Sequence, residues 1–301
     1  MNEKLHLLIT GGTGFIGSNY IKRFQNKYQI TVLTRQPDTA NLPKSVALIT
    51  SLNELENLDE FDAIINLQGE AIFGKRWSHQ QKKELEDSRT FVTQTLSTLI
   101  QNSTNPPIVF ISGSAIGFYG RQKNDKIVEE GSNEPFREFS HQLCKKWEKA
   151  ALRAHKATRV CLLRTGIVLG INGGALSEML PSFKLGLGAI IADGQQKMSW
   201  IHIDDVICAI DYIITHESLE GPINLTAPNP VSNEIFSKTL ASALNKPCFI
   251  KLPEFVARII LGEACDLVCF GQHVIPKKLQ EEGFEFYYPS IKEALSNLLT
   301  Q

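Results

Sequence analysis

The sequence predicts an α/β protein built on a doubly wound parallel sheet, with a smaller C-terminal substrate lobe. Two observations carry this. Through the first half, short β-rich apolar runs alternate with longer amphipathic stretches, as the strands and crossover helices of a parallel sheet do. After Arg164 the pattern changes, and glycines 166, 170, 173, 174, 186, 188 and 194 break the periodicity until about Ser199.

Taken in order, strands are expected at Lys4–Thr10, Gln29–Thr34, Ala47–Thr50, Asp62–Leu67, Ile108–Ser112 and Arg159–Leu163. Helices are expected between them at Phe15–Asn26, Gln80–Gln101 and Phe136–His155. Beyond the glycine-rich stretch come a strand at Trp200–Ile203, a helix from Asp205 to about Thr215 and a strand at Ile223–Thr226. Helices at Phe255–Phe270 and Ser290–Leu299 follow. The expected organisation is a main domain over 1–165, re-entered around 199–226, with residues 166–301 supplying mostly the lobe and a helical extension.

The chain has 301 residues, enough for one large domain and a lobe. Its apolar fraction of 43% and charged fraction of 21% are those of a globular protein. A formal net charge of −1 gives no footprint for nucleic acid or an anionic membrane, so a small-molecule partner is expected. The apolar stretch Leu185–Ala192 is too short to span a bilayer and holds two glycines. Glu3 and the glycines interrupt any signal-peptide core, which points to the cytoplasm and reduced thiols. The six cysteines are scattered and read as buried thiols. Cys265 and Cys269 share a helical spacing, but no second pair completes a metal site, so no metal is expected. A monomer and a homodimer are both compatible with the sequence.

The strongest local signal is Leu7-Leu8-Ile9-Thr10-Gly11-Gly12-Thr13-Gly14-Phe15-Ile16-Gly17. An apolar strand runs into glycines spaced three apart, and an amphipathic helix starts directly after. Gly11 permits the tight turn, Gly14 lets the backbone approach a pyrophosphate, and Gly17 lets the helix pack close. The helix N-terminus offers unpaired N–H groups and partial positive charge to phosphates. This is the phosphate loop of a Rossmann domain. The alternative is a glycine turn with no ligand.

The end of the second strand selects between NAD and NADP. An NAD site places Asp or Glu there for the ribose hydroxyls. This chain has Thr34-Arg35, and a guanidinium suits a 2′-phosphate, so NADP is expected. Asp38 lies beyond Pro37 and is discounted. Arg35 also reads as a solvated loop charge. Asn66-Leu67-Gln68-Gly69 ends the fourth strand with a small residue, where the rest of a dinucleotide would lie. Ser112-Gly113-Ser114-Ala115 ends the fifth in the same manner. Ser114 either faces the nicotinamide or bonds to its own backbone.

Together these residues resemble the extended short-chain dehydrogenase/reductases, relatives of the nucleotide-sugar epimerases and dehydratases. They are most similar to an atypical branch of "epimerase family" proteins with its own C-terminal extension. The matching pieces are TGGTGFIG (10–17), NLQGE (66–70), RW (76–77), SRT (88–90), SGSAIGFYG (112–120), WE (147–148), LRTGIVLG (163–170), GGAL (173–176), SWIHIDD (199–205), GPINLTAPNPVSN (221–233) and PKKL (276–279). The resemblance implies NADP(H) in the crevice, held by the 11–17 loop, Thr34, Arg35, Leu67 and Gln68. It adds contacts from the helix bearing Glu84 and Arg89 and from the Thr165-Gly166-Ile167 turn. Read alone, Glu84 and Arg89 are ordinary helix charges.

Relatives of this kind use Tyr-x-x-x-Lys on a helix, where the ammonium lowers the phenol pKa for acid–base work. Aligned through Trp147-Glu148, the Tyr position falls near Cys144 and the Lys position near Glu148, so the pair is absent. Tyr119…Lys123 contains Gly120 and Tyr288…Lys292 contains Pro289, so neither spacing sits inside a helix. His141 and Lys145 could imitate the pair, or be a surface His beside a Lys. Tyr119 is the candidate replacement acid, with Ser114 binding the substrate oxygen; its other reading is a packing residue with a satisfied hydroxyl. Trp200 and His202 either shape the pocket or pack the lobe. Two functions follow: an NADP-dependent oxidoreductase or epimerase acting on a small hydroxylated or carbonyl substrate, or a non-catalytic NADP(H)-binding regulator.

Overall fold

The computed structural model describes residues 4–300. Its centre is a seven-stranded, wholly parallel sheet. Five strands come from the first half: β1 (His6–Thr10), β2 (Gln29–Leu33), β3 (Ala47–Ile49), β4 (Ala63–Asn66) and β5 (Val109–Ala115). Arg159–Thr165 extends the sheet beyond β5, and Gly221–Leu225 forms the edge beside it. On the other side of β4 lie β1, β2 and β3, in that order. After β3 the chain therefore crosses back over β1 to build β4, and this reversal opens a crevice at the carboxyl ends of β1 and β4.

Alternation along the strands decides which helix covers which face. Leu7 and Ile9 of β1 join Val32, Ile65, Ile111 and Leu163 in one buried cluster, against Tyr20 and Ile21 of helix α1 (Phe15–Phe24) and the apolar stripe of helix Ile203–Thr215. Leu8, Ile64, Phe110 and Leu162 point the other way. They meet Leu96, Leu99 and Ile100 of helix α2 (His79–Asn102), with Ala151 at the end of helix α3 (Phe139–Ala151). A third cluster, around Trp200, Leu169, Phe236, Leu240 and Leu295, is the core of the C-terminal lobe.

The expected strands and helices of the first half are present, with ends displaced by a few residues. The later half differs more. Trp200–His202 pairs with Ile167–Gly170 in a separate two-stranded sheet, so only Gly221–Leu225 returns to the central one. The stretch expected as one helix over Phe255–Phe270 is a helix at Glu254–Leu261, a 3₁₀ turn at Gly262–Cys265 and a short helix at Asp266–Cys269. Three helices, Gly174–Lys184, Asn233–Ala243 and the short Lys277–Glu281, have no counterpart among the expected elements. The first opens among glycines that the ring of Phe15 requires: a Cβ on Gly170 or Gly173 would lie 2.4–2.5 Å from that ring. Among the described residues, no helix is long and apolar enough to cross a membrane.

Candidate dinucleotide site

Parallel strands end at one edge, and that edge collects most of the residues singled out from sequence. The loop after β1 is built for close approach. Gly11 has φ +71°, and a Cβ there would stand 2.7 Å from the Leu67 carbonyl carbon at the end of β4. A Cβ on Gly17 would lie 2.4 Å from the Gly11 oxygen, so this glycine lets α1 press onto the loop. Gly12 fits against Val32 and Ile21. Gly14 caps α1 without a side-chain bond, and its N–H donates to the Gly11 carbonyl at 3.0 Å. Thr13 is exposed, while Phe15 and Ile16 are half-buried. No acidic residue occupies the first turn of α1, so nothing opposes an anion at its N–H groups.

Beside this loop, Thr34 is buried and its N–H bonds the Ile49 carbonyl at 3.0 Å. Arg35 is exposed and makes no hydrogen bond or ion pair among the described residues. Asp38 is exposed within a 3₁₀ turn, Pro37–Thr39, beyond it. Leu67 and Gln68 are half-buried, facing Gly11 across the crevice.

Gly69 passes under Arg89, whose guanidinium carbon would sit 3.0 Å from a Cβ there. Arg89 donates to the Glu70 and Leu85 carbonyls at 2.8 and 2.9 Å and lies over the Trp147 ring. Burial holds its guanidinium below the usual range. Glu84 is elsewhere in character: exposed, and bonded from Gln80 at 3.1 Å. Thr165, Gly166 and Ile167 are half-buried where one strand ends and the next begins, with the Gly166 N–H on Leu225 and the Ile167 N–H on Ser199. The first bond still belongs to the central sheet, and the second starts the separate pairing with Trp200–His202.

A buried polar lattice underlies the edge. Thr10 Oγ1 donates to Asn66 Oδ1 at 2.6 Å, and Asn66 Nδ2 donates to Thr93 at 2.8 Å and to Ser112 at 3.4 Å. Trp147 Nε1 also reaches Thr93, at 3.1 Å. Asn66 thereby ties β1, β4, β5 and α2 at the point where the crevice opens.

The second buried lattice holds both residues expected to be catalytic. Ser114 Oγ donates to Glu148 Oε1 at 2.7 Å. The Glu148 carboxylate takes two parallel bonds from Arg164, each 2.9 Å. Arg164 also donates to the Tyr119 hydroxyl at 3.0 Å, lies 3.5 Å from the Phe118 ring centroid, and reaches the Glu130 carbonyl. Tyr119 donates to Asn224 Oδ1 at 2.7 Å and is 1% exposed.

Burial pushes the Tyr119 phenol above its ordinary range, against the opposing pull of Arg164. Its geometry is that of the packing residue with a satisfied hydroxyl, and it does not suit the role of exchanging acid. Cys144, at the position aligned with the absent Tyr, touches Ser114; burial, then the Glu148 charge, push its thiol up to about 12. The position of the usual ammonium holds Glu148, neutralised by Arg164.

His141 is not a surface residue beside Lys145: it is buried, with Nδ1 on the Phe118 carbonyl, while Lys145 is exposed. Trp200 and His202 are buried within the lobe, His202 against the Tyr288 ring, and they follow their packing reading. Spacing and composition do not mark Arg164 and Thr93 as structural centres, and in the sequence Asn66 is only part of a strand end. The available signal for Arg164 is a guanidinium directly continuing the apolar run Val160–Leu163 toward the strand end. Among the described residues, no cluster of three or more His, Cys, Asp or Glu side chains could hold a metal ion.

Comparisons with known proteins match this geometry. Residues 7–225 fit the model of the NAD dependent epimerase/dehydratase family, and residues 252–298 that of a domain of unknown function, DUF1731. The chain is 38% identical over 308 residues to the chloroplastic epimerase family protein SDR39U1 homolog of Arabidopsis thaliana, covering 99% of this chain and 87% of that one. It is 38% identical to the Staphylococcus epidermidis epimerase family protein SERP0438, over 97% of this chain and 98% of that one. The crystal structure of the human epimerase family protein SDR39U1 with NADPH superposes with a TM-score of 0.90 at 30% identity, covering 99% of this chain and 100% of that one. A family match over most of the chain, and relatives of this identity along its whole length, make the protein a member of the NAD dependent epimerase/dehydratase family.

Proposed function

We propose that this protein binds NADP(H) across the carboxyl edge of its sheet and acts as an oxidoreductase or epimerase on a small hydroxylated or carbonyl substrate. The observation that carries the reading is the cradle of Gly11, Gly14 and Gly17 beside an exposed Arg35 that has no partner among the described residues. The relative with NADPH supports the same choice of cofactor. First-turn N–H groups of α1 hold the pyrophosphate, and Arg35 pairs with the 2′-phosphate. Leu67, Gln68 and Gly69 flank the crevice, with Arg89, Ser112 and the Thr165–Ile167 turn along its floor. When bound, the cofactor supplies hydride chemistry. Ser114 has committed its proton to Glu148, so its oxygen is left as an acceptor for a substrate hydroxyl. Glu84, exposed and bonded from Gln80, is retained only as an outer contact.

One observation favours a second reading, a non-catalytic NADP(H)-binding regulator. The positions aligned with the usual phenol and ammonium carry a neutral thiol and a carboxylate already paired with Arg164. The two readings separate in one assay: NADPH consumption against a panel of aldehydes and ketones, run beside NADPH binding. Turnover supports the enzyme. Binding without turnover against any carbonyl supports the regulator, and absence of binding rejects both.

A further inference from the structure

Behind the turn that follows helix Glu254–Leu261, two thiols meet. Cys265 Sγ and Cys269 Sγ are 2.7 Å apart, inside the contact distance of about 3.5–4 Å at which unbonded heavy atoms settle. Four residues along a helical path rise about 6 Å, within the roughly 4.4–6.8 Å between α-carbons that a disulfide spans. A four-residue spacing therefore puts the span that bonding requires within reach. The segment is also an irregular one, a 3₁₀ turn running into a four-residue helix, so it is not held to ideal helical geometry.

The two sulfurs differ in access. Cys265 is wholly enclosed by Ala257, Leu252, Leu261 and Val268. Cys269 is also buried, at 5% exposed, but it lines a cavity of about 410 Å³ whose wall includes Lys123, Asp193, Gln196, Phe270 and Gly271. A small reagent that enters this cavity meets Cys269 first and finds Cys265 directly behind it. The ordinary reading, two buried thiols filling a core, accounts for Cys265 but not for a sulfur contact of this length next to an open cavity.

We propose that Cys265 and Cys269 form a redox-active dithiol that closes to a disulfide when a peroxide enters the cavity. The peroxide oxidises Cys269 to a sulfenic acid: its O–O bond breaks, sulfur is oxidised by two electrons, and water or an alcohol leaves. The Cys265 sulfur then attacks Cys269, the S–O bond breaks, and the hydroxyl leaves as water with the Cys265 proton. The sum is one dithiol oxidised and one peroxide reduced. Burial, then the neighbouring Cys265 sulfur, push the Cys269 thiol up to about 12 against the pull of Arg258, so the first step should speed up as pH rises. A closed disulfide would stiffen the Gly262–Cys269 turn, which carries Glu263 onto Lys82 and Asp266 onto Arg121.

The test uses the full-length protein, treated with hydrogen peroxide, blocked with iodoacetamide and cut with trypsin. Cleavage after Arg258 and Lys277 releases one fragment, Ile259–Lys277, that carries both cysteines and no other. The expected result is a fragment lighter by about 2 Da, two hydrogens, that resists alkylation until dithiothreitol restores both thiols. Cys265→Ser should abolish this loss and leave Cys269 as a sulfenic acid trapped by dimedone. Two alkylatable thiols after peroxide, or sulfinic acid at Cys269 without the internal bond, would overturn the proposal. These outcomes are read on the unsubstituted chain and do not depend on the variant folding.

Discussion

Glu148 and Arg164 face each other as a two-point ion pair, with both bonds at 2.9 Å and both side chains about 5% exposed. Ser114 hangs from one carboxylate oxygen and Tyr119 from one guanidinium nitrogen, so four elements meet on a single charge pair. The pair stands where the alignment through Trp147 puts the missing lysine. A positive charge at that site has been exchanged for a negative one, with its counter-charge supplied from the neighbouring strand.

Removing one partner leaves a buried charge alone. Arg164→Met is expected to cost about 3–5 kcal/mol in urea unfolding. The double variant Glu148→Met with Arg164→Met should cost clearly less than the sum of the two single changes. Additive losses would mean that the pair is not coupled.

Tyr119→Phe separates structure from chemistry. The phenyl ring keeps its packing against Val128 and Val274, while Asn224 and Arg164 each lose a partner. The expectation is about 1–2 kcal/mol of lost stability with NADPH affinity unchanged, and a proportional loss of any turnover would restore Tyr119 as an acid.

Gly17→Ala places a methyl 2.4 Å from the Gly11 oxygen, so the loop must shift. NADPH affinity should fall by at least tenfold, about 1.4 kcal/mol, while thermal unfolding shows a retained fold. Wild-type affinity in this variant would show that the loop does not hold the cofactor.

Stability should carry a pH signature from Asp205. Burial raises its carboxyl to about 6, against the pull of the Tyr287 and Tyr288 N–H groups that it accepts. Unfolded, an aspartate titrates near pH 4. Between about pH 4 and 6 the folded state therefore binds more protons, and stability falls as pH rises through that window, by on the order of 3 kcal/mol. Asp205→Asn should flatten this part of the profile; an unchanged slope would assign it to other groups.

Local pattern made the first half of the fold legible. Alternation in Leu7-Leu8-Ile9 and the glycine spacing at 11, 14 and 17 are properties of adjacent residues, and they led directly to β1, the loop and α1. The exposed position of Arg35 was legible for the same reason, since it lies just beyond a strand end. Helix Gly174–Lys184 was obscured because Gly170, Gly173 and Gly174 make room for a ring 155 or more residues away, which looks from sequence like broken periodicity. Pro181 inside that helix added to the effect. The Glu148–Arg164 pair joins α3 to a strand through a contact that no spacing rule describes. Which of its two readings Tyr119 follows was not legible, because its hydroxyl partners, Asn224 and Arg164, come from distant segments.

The most direct measurement is a fluorescence titration of the wild-type protein and of Arg35→Asp with NADPH and with NADH. The account predicts that the wild type prefers NADPH by at least tenfold, about 1.4 kcal/mol. It also predicts that Arg35→Asp abolishes this preference, mainly by weakening NADPH. Equal binding of both dinucleotides by the wild type, or an unchanged preference in Arg35→Asp, would contradict it.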